Sequence, residues 1–499
     1  MLTFQYDGLL GEVLFVACMS STIEGTGDFK DEMMISQKRG DPSRLLTDHF
    51  RCPDSMVELT VTEELSGKPG YFRFGPSVTC YGQCSSGVPA STVTDSLHDA
   101  IEHVSTRESS VHLTFDPVQV VNNIRHERYL WNPAVGKLAN GADSLARRLY
   151  YLARPLMSVA VRKHLQRQYY RGWNDIPFPS WPVDLTVERI LEQLLILSMK
   201  SRNVARIPFI WFWPDGALSC CMVTHDVETR AGRDFCTQLM DLDESYGIKS
   251  AIQIVPEERY TVPQALLECI RERGCELNVH DLNHDGNLMA NRSEFLRRAI
   301  EINRYAKSFG AKGFRSAVLY RNIDWYDALD ISYDMSVPNV AHLDPQRGGC
   351  CTVFPFYNGK ILELPVTMAQ DYTLFHILKD YSIGVWKEQM SIIREKYGLM
   401  QMIVHPDYTI DKSARRVYRD LLCYLSELRA QGETWISLPS EVAAWWRLRS
   451  ELRLVKEGTS WRIEGDGRER ARIAYATIAD GKLIYECEPV VENVPCHAL

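Results

Sequence analysis

The sequence predicts an α/β fold, layered or barrel-shaped, with a parallel sheet at its centre. Three observations carry this. Between residues 206 and 440, apolar runs of strand length alternate with stretches of helical periodicity, the pattern of βαβ units. Three of those runs end in clusters of His, Asp and Glu, and in such folds ligands collect beyond the C-terminal ends of strands. The 499 residues exceed what one hydrophobic core holds, so further domains are expected around this region.

Taken in order, residues 1–140 read as an N-terminal α/β domain of unknown role. Residues 9–19 are moderately apolar, but Asp7 and Glu12 stand where a secretory leader needs positive charge, so a buried strand is expected there. Residues 56–61 alternate like a half-buried strand, and Lys68-Pro69-Gly70 is a turn. Residues 94–104 space their apolar side chains like a helix, and 111–115 read as a strand.

Residues 141–205 read as a basic helical linker. Arg147, Arg148, Arg154, Arg162, Lys163, Arg167 and Arg171 lie within 146–171 with no acid among them, and tyrosines are interleaved. Such a run is usually a solvated face; its functional alternative is peripheral contact with a membrane or polyanion. A proline-rich hinge at 177–182 leads into an amphipathic helix at 187–199. In 206–440, strands are predicted at 217–223, 250–254, 276–279, 313–315, 331–336, 361–364 and 400–404. Helices are predicted at 231–246, 263–273, 292–309, 324–329, 381–397 and 412–431. Residues 441–499 read as a helix and a small β appendage, with hairpin signals at Gly458-Thr459, Asp466-Gly467 and Asp480-Gly481.

Composition narrows the function. A net charge of −8 argues against a nucleic-acid binder. No run of about 18 apolar residues marks a membrane-spanning helix. The 14 cysteines match no zinc-finger spacing and are expected as buried free thiols in a reducing compartment, so a cytoplasmic location is expected.

Chemistry concentrates at three strand ends. The first is Thr224-His225-Asp226-Val227-Glu228. The second is His280-Asp281-Leu282-Asn283-His284. The third is Val404-His405-Pro406-Asp407, and Gly313-Phe314-Arg315 lies between the last two. His280 and His284 are four apart, so one helical turn brings both imidazoles to one side. With a carboxylate from elsewhere they complete a two-His, one-carboxylate metal site with open positions.

This ordered set resembles the polysaccharide deacetylases, carbohydrate esterase family four, over 200–240 residues of the chain. The family's T-F-D-D-G motif is matched by 224–228, its H-S/T-x-x-H by 280–284, its third-motif Arg by Arg315 and its strand ending in His by Ile403-Val404-His405. The fourth motif is poorly matched, and Asp330 or Asp334 stands in for its Asp. The resemblance implies a distorted (β/α) barrel of deacetylase type. It implies a divalent metal, zinc first and cobalt or another transition metal next, and an N-acetylated sugar or related acyl amide as substrate.

The family's adjacent Asp pair splits into base and metal ligand. Here Val227 takes the second place. One reading makes Asp226 the base and Glu228 the ligand, and is favoured; the other makes Asp226 itself the ligand. The resemblance further implies that His280 and His284 hold the metal and that Arg315 keeps Asp226 ionised. His405 then protonates the leaving amine, charged by a nearby Asp. Asp281 is a candidate hydrogen-bond partner for a histidine. Trp211, Trp213, Tyr320, Trp325 and Tyr408 flank the motifs, either stacking on a sugar or packing the core. Arg315 as a plain structural ion pair and His405 as a satisfied strand-end histidine are the bland alternatives. Two other functions stay open: hydrolysis of a small non-sugar amide, and an inactive carbohydrate-binding or assembly protein.

Overall fold

The computed structural model describes residues 40–61, 64–131 and 168–488. The expected strand at 9–19 and most of the basic run at 146–171 lie outside the described residues.

The N-terminal part holds helix α1 (Arg44–Phe50), strands β1 (Leu59–Val61), β2 (Gly70–Arg73), β3 (Thr79–Gly82), β4 (Ser105–Arg107) and β5 (Ser110–Leu113), and helix α2 (Pro117–Arg125). The helix expected at 94–104 is instead a 3-10 turn, Ala100–His103, running into β4. The cause is Asp99. Its carboxylate accepts from the backbone N–H of Ile101 at 3.1 Å and of Gly75 at 2.8 Å, offering the backbone an alternative to the helix.

Helix α3 (Thr186–Ser201) follows. It buries Ile190, Leu191, Leu194 and Leu195 in the core that also takes Leu46 and Phe50 from α1 and Cys220 to Val223 from the central sheet. The N-terminal strands and the α/β region therefore share one apolar core.

The central sheet is formed by β7 (Ser219–Val227), β8 (Ala251–Ile254), β9 (Glu276–His280), β10 (Gly313–Arg315), β11 (Tyr333–Asp334), β12 (Phe356–Asn358), β13 (Ile361–Glu363), β14 (Leu399–Ile403) and β15 (Thr434–Ile436), with β6 (Arg206–Ile210) lying outside it. Its order is β12-β13-β11-β10-β9-β8-β7-β14, with β15 also paired to β7. Every pair is parallel except β12–β13. No ladder joins β12 to β14 among the described residues, so the sheet is a curled half barrel rather than a closed one.

Helices α4 (Arg230–Ser245), α5 (Gln264–Glu272) and α6 (Arg292–Phe309) connect β7 through β10. Each begins with an identifiable signal. Thr229 accepts from Gly232 N–H, Pro263 precedes Gln264, and Asn291 accepts from Glu294 N–H. The apolar faces of α4, α5 and α6 bury Cys236, Met240, Leu267, Ile270, Phe295 and Ile302 against Ile252, Ile254, Val279 and Phe314 of the sheet. Helices α7 (Gly384–Glu395), α8 (Pro406–Thr409), α9 (Lys412–Ala430) and α10 (Pro439–Glu451) complete the layer.

The C-terminal strands β16 (Arg453–Glu457) and β17 (Ser460–Glu464) form a hairpin. Strands β18 (Ile473–Ala479) and β19 (Lys482–Cys487) form another, and β18 pairs antiparallel with β6. All the described cysteines are free, and nine of them, including Cys80, Cys84, Cys220, Cys221, Cys350 and Cys351, are buried.

Candidate metal centre

Strand β7 has nine residues and all are buried. Side chains alternate along it. Asp226 faces the concave side with Arg315 and His280, while His225 faces the helix layer, where it meets Asp243 of α4 and Tyr418 of α9. Glu228, two residues beyond Asp226, comes back to the concave side at the strand end.

His280 is the last residue of β9. The expected helical turn between the two histidines is not there. The chain leaves β9 in a loop with Asp281 at φ 55° and His284 at φ 54°, and this loop brings the rings to 4.9 Å between centroids. Asp281 does not bond a histidine. Its carboxylate accepts from Leu282 N–H at 2.5 Å and Ala317 N–H at 3.1 Å, pinning this loop to the one after β10. The backbone carbonyl of Arg315 takes His280 Nδ1 at 3.1 Å, which turns Nε2 toward the site.

Glu228, His280 and His284 converge, with one ligand atom from each within 4.8 Å of the others. Oε1 of Glu228 lies 2.9 Å from His284 Nε2, 3.6 Å from His280 Nε2 and 3.3 Å from His405 Nε2. The site fits a divalent cation on the molecule's own terms. The donors are two imidazoles and a carboxylate, a set suited to zinc and its neighbours. His280 Nε2 is buried and has no hydrogen-bond partner, which is costly unless something binds it.

Asp226 flanks this group. Its Oδ2 is 3.8 Å from His280 Nε2, and its Oδ1 accepts from Arg315 Nη1 at 2.6 Å. Arg315 is fully buried and also donates to Thr224 Oγ1 at 2.8 Å and the Met335 carbonyl at 3.0 Å. Burial raises the pKa of Asp226, but the charges of Arg315, then His280 and His405, outweigh it, and the net shift is downward. Asp226 is held as a carboxylate.

His405 stands opposite, where the chain leaves β14. Its Nδ1 donates to Asp371 Oδ1 at 2.6 Å and its backbone N–H to Asp371 Oδ2 at 2.7 Å. Burial lowers its pKa, but the charge and hydrogen bonds of Asp371 and Glu228 win, and it is raised well above the usual histidine value. Burial likewise raises the pKa of Glu228, yet His284 and His405 hold it well below the usual carboxylate range.

All six residues singled out in the sequence, Asp226, Glu228, His280, His284, Arg315 and His405, therefore meet at one end of the sheet. Two stand-ins fail. Asp330 is exposed and lies 3.7 Å from Lys360, and Asp334 is buried on β11, accepting from Ser336 N–H and Oγ. The acid beside His405 is Asp371, eight residues after the end of β13. It sits where an apolar run gives way to Gln370-Asp371, a weak signal in sequence. Trp211 and Trp213 are core residues, their indole N–H groups donating to the Ala217 and Tyr397 carbonyls. Trp325 packs on Phe295. Tyr320 is buried, and Tyr408, with its ring 4.9 Å from His405, remains at the site.

No family model and no curated protein matches the chain. Solved structures do. About half of this chain is similar to carbohydrate esterase family four deacetylases. A protein of Mycobacterium smegmatis assigned as a polysaccharide deacetylase is 15% identical, with 50% of this chain and 98% of that one covered and a TM-score of 0.40. The Puue allantoinase is 11% identical, covering 47% and 92%, with a TM-score of 0.37. The Xyl-CE4 domain of a multidomain xylanase from the hindgut metagenome of Trinervitermes trinervoides is 14% identical, covering 46% and 92%, with a TM-score of 0.30.

Proposed function

We propose that this chain is a metal-dependent hydrolase that removes an N-acyl group, acetyl first, from an N-acetylated sugar or polysaccharide. One observation carries the reading. A two-His, one-carboxylate group lies between a carboxylate held ionised and an imidazole held charged. Amide hydrolysis needs a base for water, a site for the oxyanion and an acid for the leaving amine.

His280, His284 and Glu228 would hold the cation. A bound divalent ion supplies Lewis acidity and a water of lowered pKa. Asp226 accepts the proton of the attacking water, and Arg315 keeps it free to do so at neutral pH. His405 carries the proton for the leaving nitrogen, and Asp371 fixes both its charge and its tautomer, since Nδ1–H is committed to the carboxylate. Nε2 of His405 then faces the site. Tyr408 flanks the centre as a surface for a sugar ring.

The test is turnover of a panel of N-acetylated oligosaccharides by the zinc- or cobalt-loaded chain and by Asp226→Asn. Loss of a general base lowers the rate by about 10²–10⁴. The reading predicts that fall with metal content retained. Activity confined to small non-sugar amides moves the substrate class, and equal rates for wild type and Asp226→Asn sink the assigned base.

A further inference from the structure

Behind the site, on the far face of β7, lies a buried polar network that the chemistry above does not use. His225 is fully buried. Its Nδ1 faces the Val404 carbonyl at 2.9 Å and its Nε2 faces Asp243 Oδ2 at 2.9 Å. Both partners are acceptors, so both ring nitrogens donate. Asp243 also receives Ser250 Oγ at 2.7 Å and Tyr418 OH at 2.5 Å.

The position of the Val404 carbonyl gives this network a consequence. Strands β7 and β14 pair in register from Leu399↔Cys220 to Ile403↔Thr224, and Val404 N–H still donates to the Thr224 carbonyl at 3.0 Å. Beyond that bond the chain turns out of the sheet, and His405 already caps helix α8. The carbonyl of Val404 sits at this exit, one peptide before His405, and the side chain of His225 takes it. Strand β7 thus reaches past the end of its own ladder to hold the residue that sets where His405 begins.

We propose that His225 is a positioning residue for His405, acting through its Nδ1–H bond to the Val404 carbonyl and oriented by Asp243. The inference rests on the hydrolase reading for the role of His405, but not for the geometry it asserts. Two variants separate the two ends of the imidazole. The amide nitrogen of Asn occupies the place of His Nδ1, and that of Gln the place of His Nε2. His225→Asn keeps the bond to Val404 and loses Asp243. His225→Gln keeps Asp243 and loses Val404.

The readout is the downfield proton resonance of His405 Nδ1–H in the metal-free full chain, assigned as the signal missing from His405→Gln. The expected result is loss or a large shift of that signal in His225→Gln and its retention in His225→Asn. An unchanged signal in His225→Gln overturns the proposal. Equal loss in both variants also overturns it, since that is what unspecific disruption of the buried network produces, and loss in His225→Asn alone overturns it as the mark of a purely structural role of the Asp243 pair. A wild type without any His405-dependent signal overturns it too. Cobalt uptake measured on the same samples is the separate arm: wild type that takes up no cobalt sinks the metal-dependent hydrolase and leaves the His405 result standing.

Discussion

His284, one of the proposed ligands, carries a proton that opposes a cation. Burial lowers its pKa, but the charge and hydrogen bond of Glu228 prevail and the net shift is upward. A raised value means the imidazole stays protonated to higher pH than an ordinary histidine. Ligation needs the neutral ring, so metal binding must displace that proton. Affinity for zinc or cobalt is predicted to fall as pH drops, with the loss beginning above about pH 6.5, the ordinary histidine value. Competition with a colorimetric chelator across pH checks this, and a flat profile from pH 8 to 6 contradicts it. At this scale the sequence was legible where residue type fixes chemistry. Two histidines, a carboxylate, an arginine and a strand-end histidine were readable because few other side chains do what they do. Asp371 was not readable, because an Asp at the start of a helical turn has many fates and only the fold brings this one to His405.

Helix α6 and the loop before it show how an element positions a proposed ligand. Arg298 on α6 donates from Nη1 to Asn283 at 3.0 Å and Asp285 at 2.7 Å, and from Nη2 to Asp285 at 2.8 Å, clamping the residues either side of His284. The strained φ of His284 persists because this clamp and the Asp281–Ala317 bond fix both ends of the loop. Arg298→Ala is predicted to weaken metal binding by about 10–100-fold while leaving the helical circular dichroism unchanged. Calorimetric titration reads the affinity, and wild-type affinity in the variant removes the loop from the account. The longer strands and helices in 206–440 followed from period, since strands buried on both faces are continuous apolar runs and their helices are amphipathic, but the short strands β6, β12 and β15 did not, and the helix expected at 324–329 is a 3-10 helix, Ile323–Ala328. What period missed was local polar chemistry. Asp99 diverted a helical pattern into a 3-10 turn, and a loop with two left-handed residues did the work expected of a helical turn between His280 and His284.

Across the whole molecule, the end of helix α2 is tied to the loop that follows Arg315. Glu127 takes the Nε of Arg321 at 2.6 Å and its Nη2, and accepts from Gly349 N–H at 2.6 Å. Both side chains are buried, so removing one strands the other's charge. Glu127→Ala is predicted to cost about 3–5 kcal/mol in urea unfolding, and Glu127→Leu with Arg321→Met distinctly less, because no charge is left unpaired. Equal losses for the two contradict that view. This long-range pairing, 194 residues apart in sequence, is invisible to any local pattern. The half-barrel form is likewise a property of how the sheet's edges end, which periodicity does not encode. The measurement that bears most directly on the whole account is metal content, by elemental analysis of the purified chain and of His280→Ala/His284→Ala. The account predicts near-stoichiometric zinc, cobalt or another transition metal in the wild type, lost in the double variant. A wild type that stays metal-free after incubation with zinc or cobalt contradicts it.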